Sequence, residues 1–447
     1  MAKKKFFGTD GIRGQFGHYP ITTEFAYQFG QSIALVFASQ KSAPILIGRD
    51  TRTSGPTLEK AIVAGIISQG VDVIHLGIAP TPAIAFLTHA LNAHAGIVIS
   101  ASHNHYLDNG IKVFNHKGNK LDDNDEHLIE SYLIDYDETR FISPCLGKAH
   151  QNMISLNTYY EYCINLYHGL TLKFKKIVID CAHGATFEII PKLFKHLGAN
   201  ITLIGAHPNG KNINHKVGST QPQQLINQVI SSRADLGLAF DGDGDRLIMV
   251  DHMGELVEGD ELLFLLALEY KETGRLKGGV VGTQMSNYGL ELSLNEHAIP
   301  FVRAQVGDRY VIEQLEQRQW NLGGEGSGHI ICKDRVNTGD AIIAALEILS
   351  ILEKKNLPLH SLKRKMHKFD QVLLNVHTPN KELALNNEFV KAALIEGEKI
   401  LSQEGRILLR ASGTEPLTRV MVEGKNNNMI RKVAQTIAQA VEQSQIA

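Results

Sequence analysis

Short apolar runs, each followed by a small-residue loop and then a longer stretch of helical composition, recur along the 447-residue chain. Residues 44–47 read as a strand, 48–55 as a polar loop, 57–69 as a helix and 71–76 as the next strand. The order returns with a strand at 176–179, a loop at 180–186, a helix to about Leu197 and a strand at 200–204. It returns again with a strand at 279–281, a helix near 288–295 and a strand near Phe301. Apolar runs alternating with helices predict parallel βαβ units. The spacing therefore predicts three divergent copies of one α/β unit, over 1–153, 154–254 and 255–367. From about Phe369 the pattern changes to strands at 371–376 and 406–409 and a terminal helix at 428–443, which predicts a smaller α+β domain over 368–447. The expected fold class is thus α/β, with three related domains built on mixed, mainly parallel sheets and a distinct C-terminal domain.

Each unit also carries an apolar run that ends in an unusual loop. Residues 96–99 lead into Ser100-Ala101-Ser102-His103-Asn104, and 236–240 into Asp241-Gly242-Asp243-Gly244-Asp245-Arg246. Residues 320–322 lead into Gly323-Gly324-Glu325-Gly326-Ser327-Gly328-His329. Ligands of parallel sheets bind beyond the carboxyl ends of the strands, so the three loops are expected to face a common cleft.

Asp241, Asp243 and Asp245 form the strongest local signal. Their glycine spacers let the backbone curl until the carboxylates converge, and three anions without a cation would repel one another. A divalent cation such as Mg²⁺ removes that repulsion and suits oxygen ligands; the alternative is a solvated acidic turn. An EF-hand is excluded, because its sixth and twelfth positions, counted from Asp241, hold Arg246 and His252 rather than Gly and Glu. A haloacid-dehalogenase type of phosphatase is weakened by Asp245, where that family usually carries Thr or Val. The run Gly205–Lys211 imitates a P-loop, but Asn212 takes the Ser/Thr position and no convincing helix follows.

A serine hydroxyl beside a divalent cation and basic side chains can accept and return a phosphoryl group, which singles out Ser102. Lys112 follows closely enough to reach the same site, and Arg13 sits in the glycine-rich stretch Gly8-Thr9-Asp10-Gly11-Ile12-Arg13-Gly14. Glu325, Ser327 and His329 alternate with glycines, so their loop can come close to sugar hydroxyls. The stretch Arg410-Ala411-Ser412-Gly413-Thr414-Glu415-Pro416, with Arg419 beyond, suits a phosphate dianion held by guanidinium and backbone N–H groups.

Composition narrows the partners. Lys plus Arg is 45 and Asp plus Glu is 47, a net charge of −2, which argues against a nucleic-acid protein or a polybasic membrane anchor. Cys145, Cys163, Cys181 and Cys332 show no metal-type spacing and fit core thiols in a reducing cytoplasm. The N-terminus lacks the apolar run of a signal peptide, and no stretch is apolar enough to span a bilayer.

Taken together, these motifs resemble the α-D-phosphohexomutase family over nearly the whole chain and in the family's order. The stretches Phe7–Gly14, Val306-Gly307-Asp308-Arg309-Tyr310-Val311 and Gly324–His329 resemble the branch that acts on glucosamine phosphates. The resemblance implies four domains around a central cleft. It implies that Ser102 carries the phosphoryl group, and that Asp241, Asp243 and Asp245 bind Mg²⁺ with a phosphoserine oxygen of Ser102 completing the site. It places Arg13, Lys112 and Arg246 around the reacting phosphate, and Glu325, Ser327 and His329 at the sugar. Arg410, Ser412, Gly413, Thr414 and Arg419 are implied to hold the distal phosphate. The expected reaction is the interconversion of glucosamine 6-phosphate and glucosamine 1-phosphate, with a hexosamine or hexose 1,6-bisphosphate as intermediate and activator. The product would feed amino-sugar nucleotide synthesis. The expected partner is a small sugar phosphate, with no nucleic acid and no membrane, and a homodimer is left open. The alternatives are a phosphomannomutase or phosphoglucomutase of the same mechanism, a Mg²⁺-dependent phosphatase using Asp241 as nucleophile, and a noncatalytic sugar-phosphate binder. Three positions depart from the family pattern: His105 replaces a proline, Gly326 a polar amide such as Gln, and Ala411 a Pro or Lys. They bear on loop rigidity and substrate discrimination.

Overall fold

The computed structural model describes residues 4–37, 43–141, 143, 145–151, 154–411 and 416–445. They divide into two compact units, residues 1–283 with 302–364, and residues 284–301 with 365–447.

In the first unit the apolar runs form sheets of mixed direction. The first sheet holds β1 (Ile12–Gln15), β2 (Ile45–Arg49), β3 (Val73–Ile78), β4 (Ala95–Ile99), β5 (Asp108–Asn115) and β6 (Ala149–Gln151), in the order β1-β5-β4-β2-β3-β6. The pairs β2–β3, β2–β4 and β3–β6 are parallel, and β4–β5 and β1–β5 antiparallel. The second sheet holds β7 (Lys176–Asp180), β8 (Asn200–Ile204), β9 (Leu236–Phe240), β10 (Leu247–Asp251) and β11 (Leu256–Val257), in the order β11-β10-β9-β7-β8. The third holds β12 (Val280–Thr283), β13 (Phe301–Ala304), β14 (Leu322–Gly324) and β15 (Ile330–Cys332), in the order β13-β12-β14-β15.

Strands β4 and β9 are buried at every position. A strand covered on both faces must be apolar throughout, which explains why Ala-Gly-Ile-Val-Ile and Leu-Gly-Leu-Ala-Phe read as unbroken runs rather than alternations. In each case the chain leaves the core at a polar loop. β14 starts later than the expected 320–322, because the Trp320 N–H bonds back to Leu315 O at 2.9 Å and closes the end of the helix Asp308–Arg318.

The helix Ala341–Lys355 shows how the scaffold meets the polar loops. Asp340 caps it, accepting from the N–H groups of Ile342 and Ile343, both at 3.0 Å, and from Tyr159 OH at 2.8 Å. The next N–H, from Ala341, reaches Gly244 O at 3.2 Å, so the capped turn also fixes the aspartate loop. Asp340→Ala should cost about 2 kcal/mol of stability, from a lost cap and a buried Tyr159 hydroxyl deprived of this acceptor. A urea titration will show it as a lower midpoint at unchanged slope.

The second unit contains β16 (Asp370–His377), β17 (Gly405–Ala411) and β18 (Leu417–Gly424), an antiparallel sheet in the order β16-β18-β17. The helix Asn427–Gln443 buries Ile430, Val433, Ile437 and Val441 in one cluster with Val376, Val420 and Val422. This matches the expected α+β character. Residues 284–301 also belong to this unit. Asn287 exchanges two hydrogen bonds with the Phe369 backbone, at 2.9 and 3.0 Å, and Arg406 donates to Gln284 O and Ser286 O.

Cys163, Cys181 and Cys332 are buried as expected, whereas Cys145 is exposed. Among the described residues no helix is long and apolar enough to cross a membrane.

Candidate active site

Ser102 lies in the turn that follows β4. It is buried, and its φ of +52° is in the left-handed region that residues bearing a Cβ rarely adopt. The turn is held from several sides. Ser100 Oγ donates to Asp50 Oδ2 at 2.6 Å and accepts the Ser102 N–H at 2.9 Å. The Ser102 carbonyl accepts from Arg52 Nη2 and Asn214 Nδ2, both at 2.9 Å. Its hydroxyl donates to Asp241 Oδ2 at 2.6 Å, so the loop after β4 meets the loop after β9 at the two residues the sequence singles out. Gly242 makes that approach feasible, since a Cβ there would lie 2.5 Å from Ser102 O.

The three aspartates are buried together, with one carboxylate oxygen from each lying within 4.8 Å of the others. Asp241 Oδ1 accepts from the N–H groups of Gly244, Asp245 and Arg246, each at 3.1 Å. Asp243 Oδ2 accepts from Thr81 Oγ1 at 2.6 Å and from Lys112 Nζ at 2.8 Å, and Lys112 Nζ also reaches Asp245 Oδ2 at 3.2 Å. Lys112 stands on β5, opposite Val98 of β4, and the antiparallel pairing directs it to the site.

Electrostatics separates the three carboxyls. Burial, with Asp245 and Asp243 beside it, pushes Asp241 well above the usual carboxylate range. Burial also opposes ionisation of Asp245, but Lys112 and His329 outweigh it and hold that carboxyl well below the usual range. Burial and Asp245 oppose ionisation of Asp243 as well, yet Lys112 brings it below its ordinary value. Asp243 Oδ1 and Asp245 Oδ1 are buried with no hydrogen-bond partner. Three carboxylates converging in one buried cluster, with two orphaned hard oxygens, fit a divalent cation.

Basic and sugar-loop groups flank this centre. Arg246 Nε and Arg13 Nε are buried donors without a hydrogen-bond partner, which suits an anionic guest. His329 is buried, with Nδ1 3.7 Å from Asp245 Oδ1 and Nε2 3.5 Å from Asp308 Oδ2. Burial disfavours its imidazolium, but Asp245, Asp308 and Glu325 prevail and raise it to about 9. Asp308 also pairs with Lys120 at 2.6 Å, Lys120 lies 3.5 Å from Asp10, and Asp10 lies 3.4 Å from Arg13. Glu325 accepts from the Gly307 N–H at 3.1 Å, and Ser327 is exposed.

The first unit therefore brings together Ser102, Lys112, Asp241, Asp243, Asp245, Arg246 and His329. Arg410 and Arg419 belong to the second unit, where they face each other as Cα partners on β17 and β18. Ser412, Gly413 and Thr414 lie outside the described residues. Sequence reasoning missed Arg52 and Asn214, polar residues in loops, and Thr81, the first residue of the helix Thr81–Ala90, all far from the motifs. It also passed over the side chain of His103. Its Nδ1 is 3.3 Å from Ser102 Oγ, and burial, Arg246 and Arg13 lower it to about 4, so the ring beside the hydroxyl is neutral at pH 7.

Family models for phosphoglucomutase/phosphomannomutase match the chain in order: alpha/beta/alpha domain I over 4–140, domain II over 158–254, domain III over 258–369 and the C-terminal domain over 373–440. The chain belongs to the phosphoglucomutase/phosphomannomutase family. Within this family it is 50% identical over 446 residues to a phosphoglucosamine mutase of Haemophilus ducreyi, covering 99% of this chain and 100% of that one. It is 50% identical over 442 residues to a phosphoglucosamine mutase of Pasteurella multocida, covering 99% of each. A phosphoglucomutase/phosphomannomutase family protein of Burkholderia thailandensis shares the fold, with a TM-score of 0.84 at 24% identity over 99% of this chain and 98% of that one. An N-acetylphosphoglucosamine mutase of Aspergillus fumigatus, solved with GlcNAc-6P and magnesium, gives 0.65 at 17% identity over 99% and 96%.

Proposed function

We propose that this phosphohexomutase interconverts glucosamine 6-phosphate and glucosamine 1-phosphate through a phosphoserine at Ser102 and a bound 1,6-bisphosphate. The observation that carries the reading is the Ser102 Oγ–Asp241 contact of 2.6 Å, which puts a hydroxyl at the edge of a three-aspartate cluster with Lys112 beneath it. The glucosamine assignment rests on relatives of that name at half identity over the full length.

In the forward direction the O1 hydroxyl of glucosamine 6-phosphate attacks the phosphorus of phospho-Ser102. The bond to Ser102 Oγ breaks, the proton of O1 leaves to a base, and glucosamine 1,6-bisphosphate remains. After the sugar turns, Ser102 Oγ attacks the 6-phosphate, O6 departs and takes up a proton, and glucosamine 1-phosphate is released with the enzyme rephosphorylated. We assign the cation to Mg²⁺, held by Asp241, Asp243, Asp245 and a phosphoserine oxygen; when bound, it neutralises the carboxylates and stabilises charge on the transferring group. Arg13, Lys112 and Arg246 balance the charge of about −1.5 to −2 that phosphorylation adds. Glu325, Ser327 and His329 are assigned to the sugar. Arg410 and Arg419, with Ser412, Gly413 and Thr414, are assigned to the non-reacting phosphate. A hexose or hexosamine 1,6-bisphosphate would prime the serine. The reading includes a cytoplasmic location, supported by free cysteines throughout.

Parallel mutase assays with glucosamine, glucose and mannose 6-phosphates test the substrate. The expected result is the highest kcat/KM with glucosamine 6-phosphate; a clear preference for mannose or glucose would replace that assignment while leaving the chemistry in place.

A further inference from the structure

Among the described residues, Arg52 is the largest fully buried side chain. An arginine without solvent must place its charge and all of its donors, and the guanidinium carries five N–H groups in a rigid plane. Each one is used. Nε donates to Asp50 Oδ2 at 2.8 Å, which supplies the counter-charge. Nη2 donates to Ser102 O and Asn104 O, both at 2.9 Å. Nη1 donates to His105 O and to Asp108 O, the latter at 3.0 Å. One cation therefore gathers four carbonyls of the segment that starts at Ser102. Asn214 Nδ2 supports two of the same oxygens, Ser102 O at 2.9 Å and Asn104 O at 3.1 Å.

The same turn also fixes Ser102 through its amide. Asp50 Oδ2 accepts from Ser100 Oγ, which accepts the Ser102 N–H. Arg52 and Asp50 thus act on both sides of a residue whose left-handed backbone is unfavourable by itself. The turn bonds across to the second sheet's loops as well, through Thr51 Oγ1 to His183 O at 2.5 Å and Thr53 N to Gly210 O at 2.9 Å. The clamp is built in the same frame as Asp241.

Resting on the phosphoserine reading above, we infer that Arg52 is a positioning residue for the nucleophile: with Asp50 and Asn214 it holds Ser102 in the strained backbone that aims its oxygen at the aspartate cluster. All five N–H groups of Arg52 are committed to protein acceptors, so it acts on transfer through the serine turn rather than on sugar binding.

Arg52→Lys and Asn214→Ala test this. Lysine keeps the charge but has fewer donors and no planar fork. The measurements are melting temperature, kcat and KM, and the ³¹P resonance of phospho-Ser102 after priming with glucose 1,6-bisphosphate. Misplacement of a reacting group by about 1 Å costs roughly 100-fold in rate, which is the kcat loss expected for Arg52→Lys, with KM within threefold of wild type. Asn214→Ala, which loses support at two of the same oxygens, should lose about tenfold in kcat, again with KM nearly unchanged. The ³¹P resonance should shift in both, a readout that a merely destabilised protein would leave in place. If Arg52→Lys does not fold, Asn214→Ala decides. A folded variant with wild-type kcat and an unmoved ³¹P resonance, or a loss confined to KM or melting temperature, would overturn the inference. Ratios to wild type are taken on whichever hexose 6-phosphate the wild-type enzyme turns over fastest, so an error in the substrate assignment appears in the wild type alone.

Discussion

Ser102→Ala is expected to abolish mutase turnover, lowering kcat by about 10⁴-fold or more, as loss of a nucleophile does where binding and electrostatics remain. The substitution removes one oxygen and its bond to Asp241 Oδ2. It leaves the backbone clamp in place, because Arg52, Asn214 and Ser100 all bind main-chain atoms of residue 102. The variant should therefore fold and bind sugar phosphate normally. Intact-protein mass spectrometry provides the second readout. Wild-type protein primed with glucose 1,6-bisphosphate should gain one phosphate at Ser102, and the alanine variant none. An alanine variant that still turned over at the wild-type rate would refute the phosphoserine mechanism, whatever the sugar.

Removing the cation should be nearly as severe. Stabilisation of developing charge by a metal ion is worth several kcal/mol, roughly 10³-fold in rate or more. Dialysis against EDTA should silence the enzyme, and added Mg²⁺ should restore it. Asp241→Asn should reproduce the loss without chelator, because the amide keeps an oxygen for the three N–H groups but no longer offers a charged ligand. Binding can be read without activity. Mg²⁺ should raise the melting temperature of wild type by linkage and leave that of Asp241→Asn nearly unchanged. An equal rise in both would remove Asp241 from the ligand set. Chelation without effect on rate would remove the cation from the reaction.

The motifs were legible because each is local. Asp241, Asp243 and Asp245 announce themselves through alternation with glycine directly behind an apolar run. Ser102, Glu325 and the Arg410 stretch carry the same signature of small and polar residues after a strand. Helices and strands followed from periodicity, and β8 and β9 lie at the expected residues, 200–204 and 236–240. The antiparallel strand β5 was not read. Its apolar positions are few, its start is Asp-Asn-Gly, and only pairing with β4 makes it a strand. Lys112 was thus identified for its proximity in sequence to Ser102, while its actual route to the aspartates is the register opposite Val98.

The repeated α/β pattern, the inventory of reactive groups and the family they resemble depend on residue type and short spacing, so linear order carries them. The folded structure sets which groups share a buried volume. It placed Ser102 against Asp241 across 139 positions of chain, and Lys112 against Asp243 across 131. It also revealed the parts with no motif: Arg52 under the serine turn, Asn214 beside it, Thr81 against Asp243, and the ion-pair chain from Arg13 through Asp10, Lys120 and Asp308 to His329. The physical reason is that charge, burial and hydrogen bonding act through distance in space, and a linear pattern carries distance only within one element or one turn.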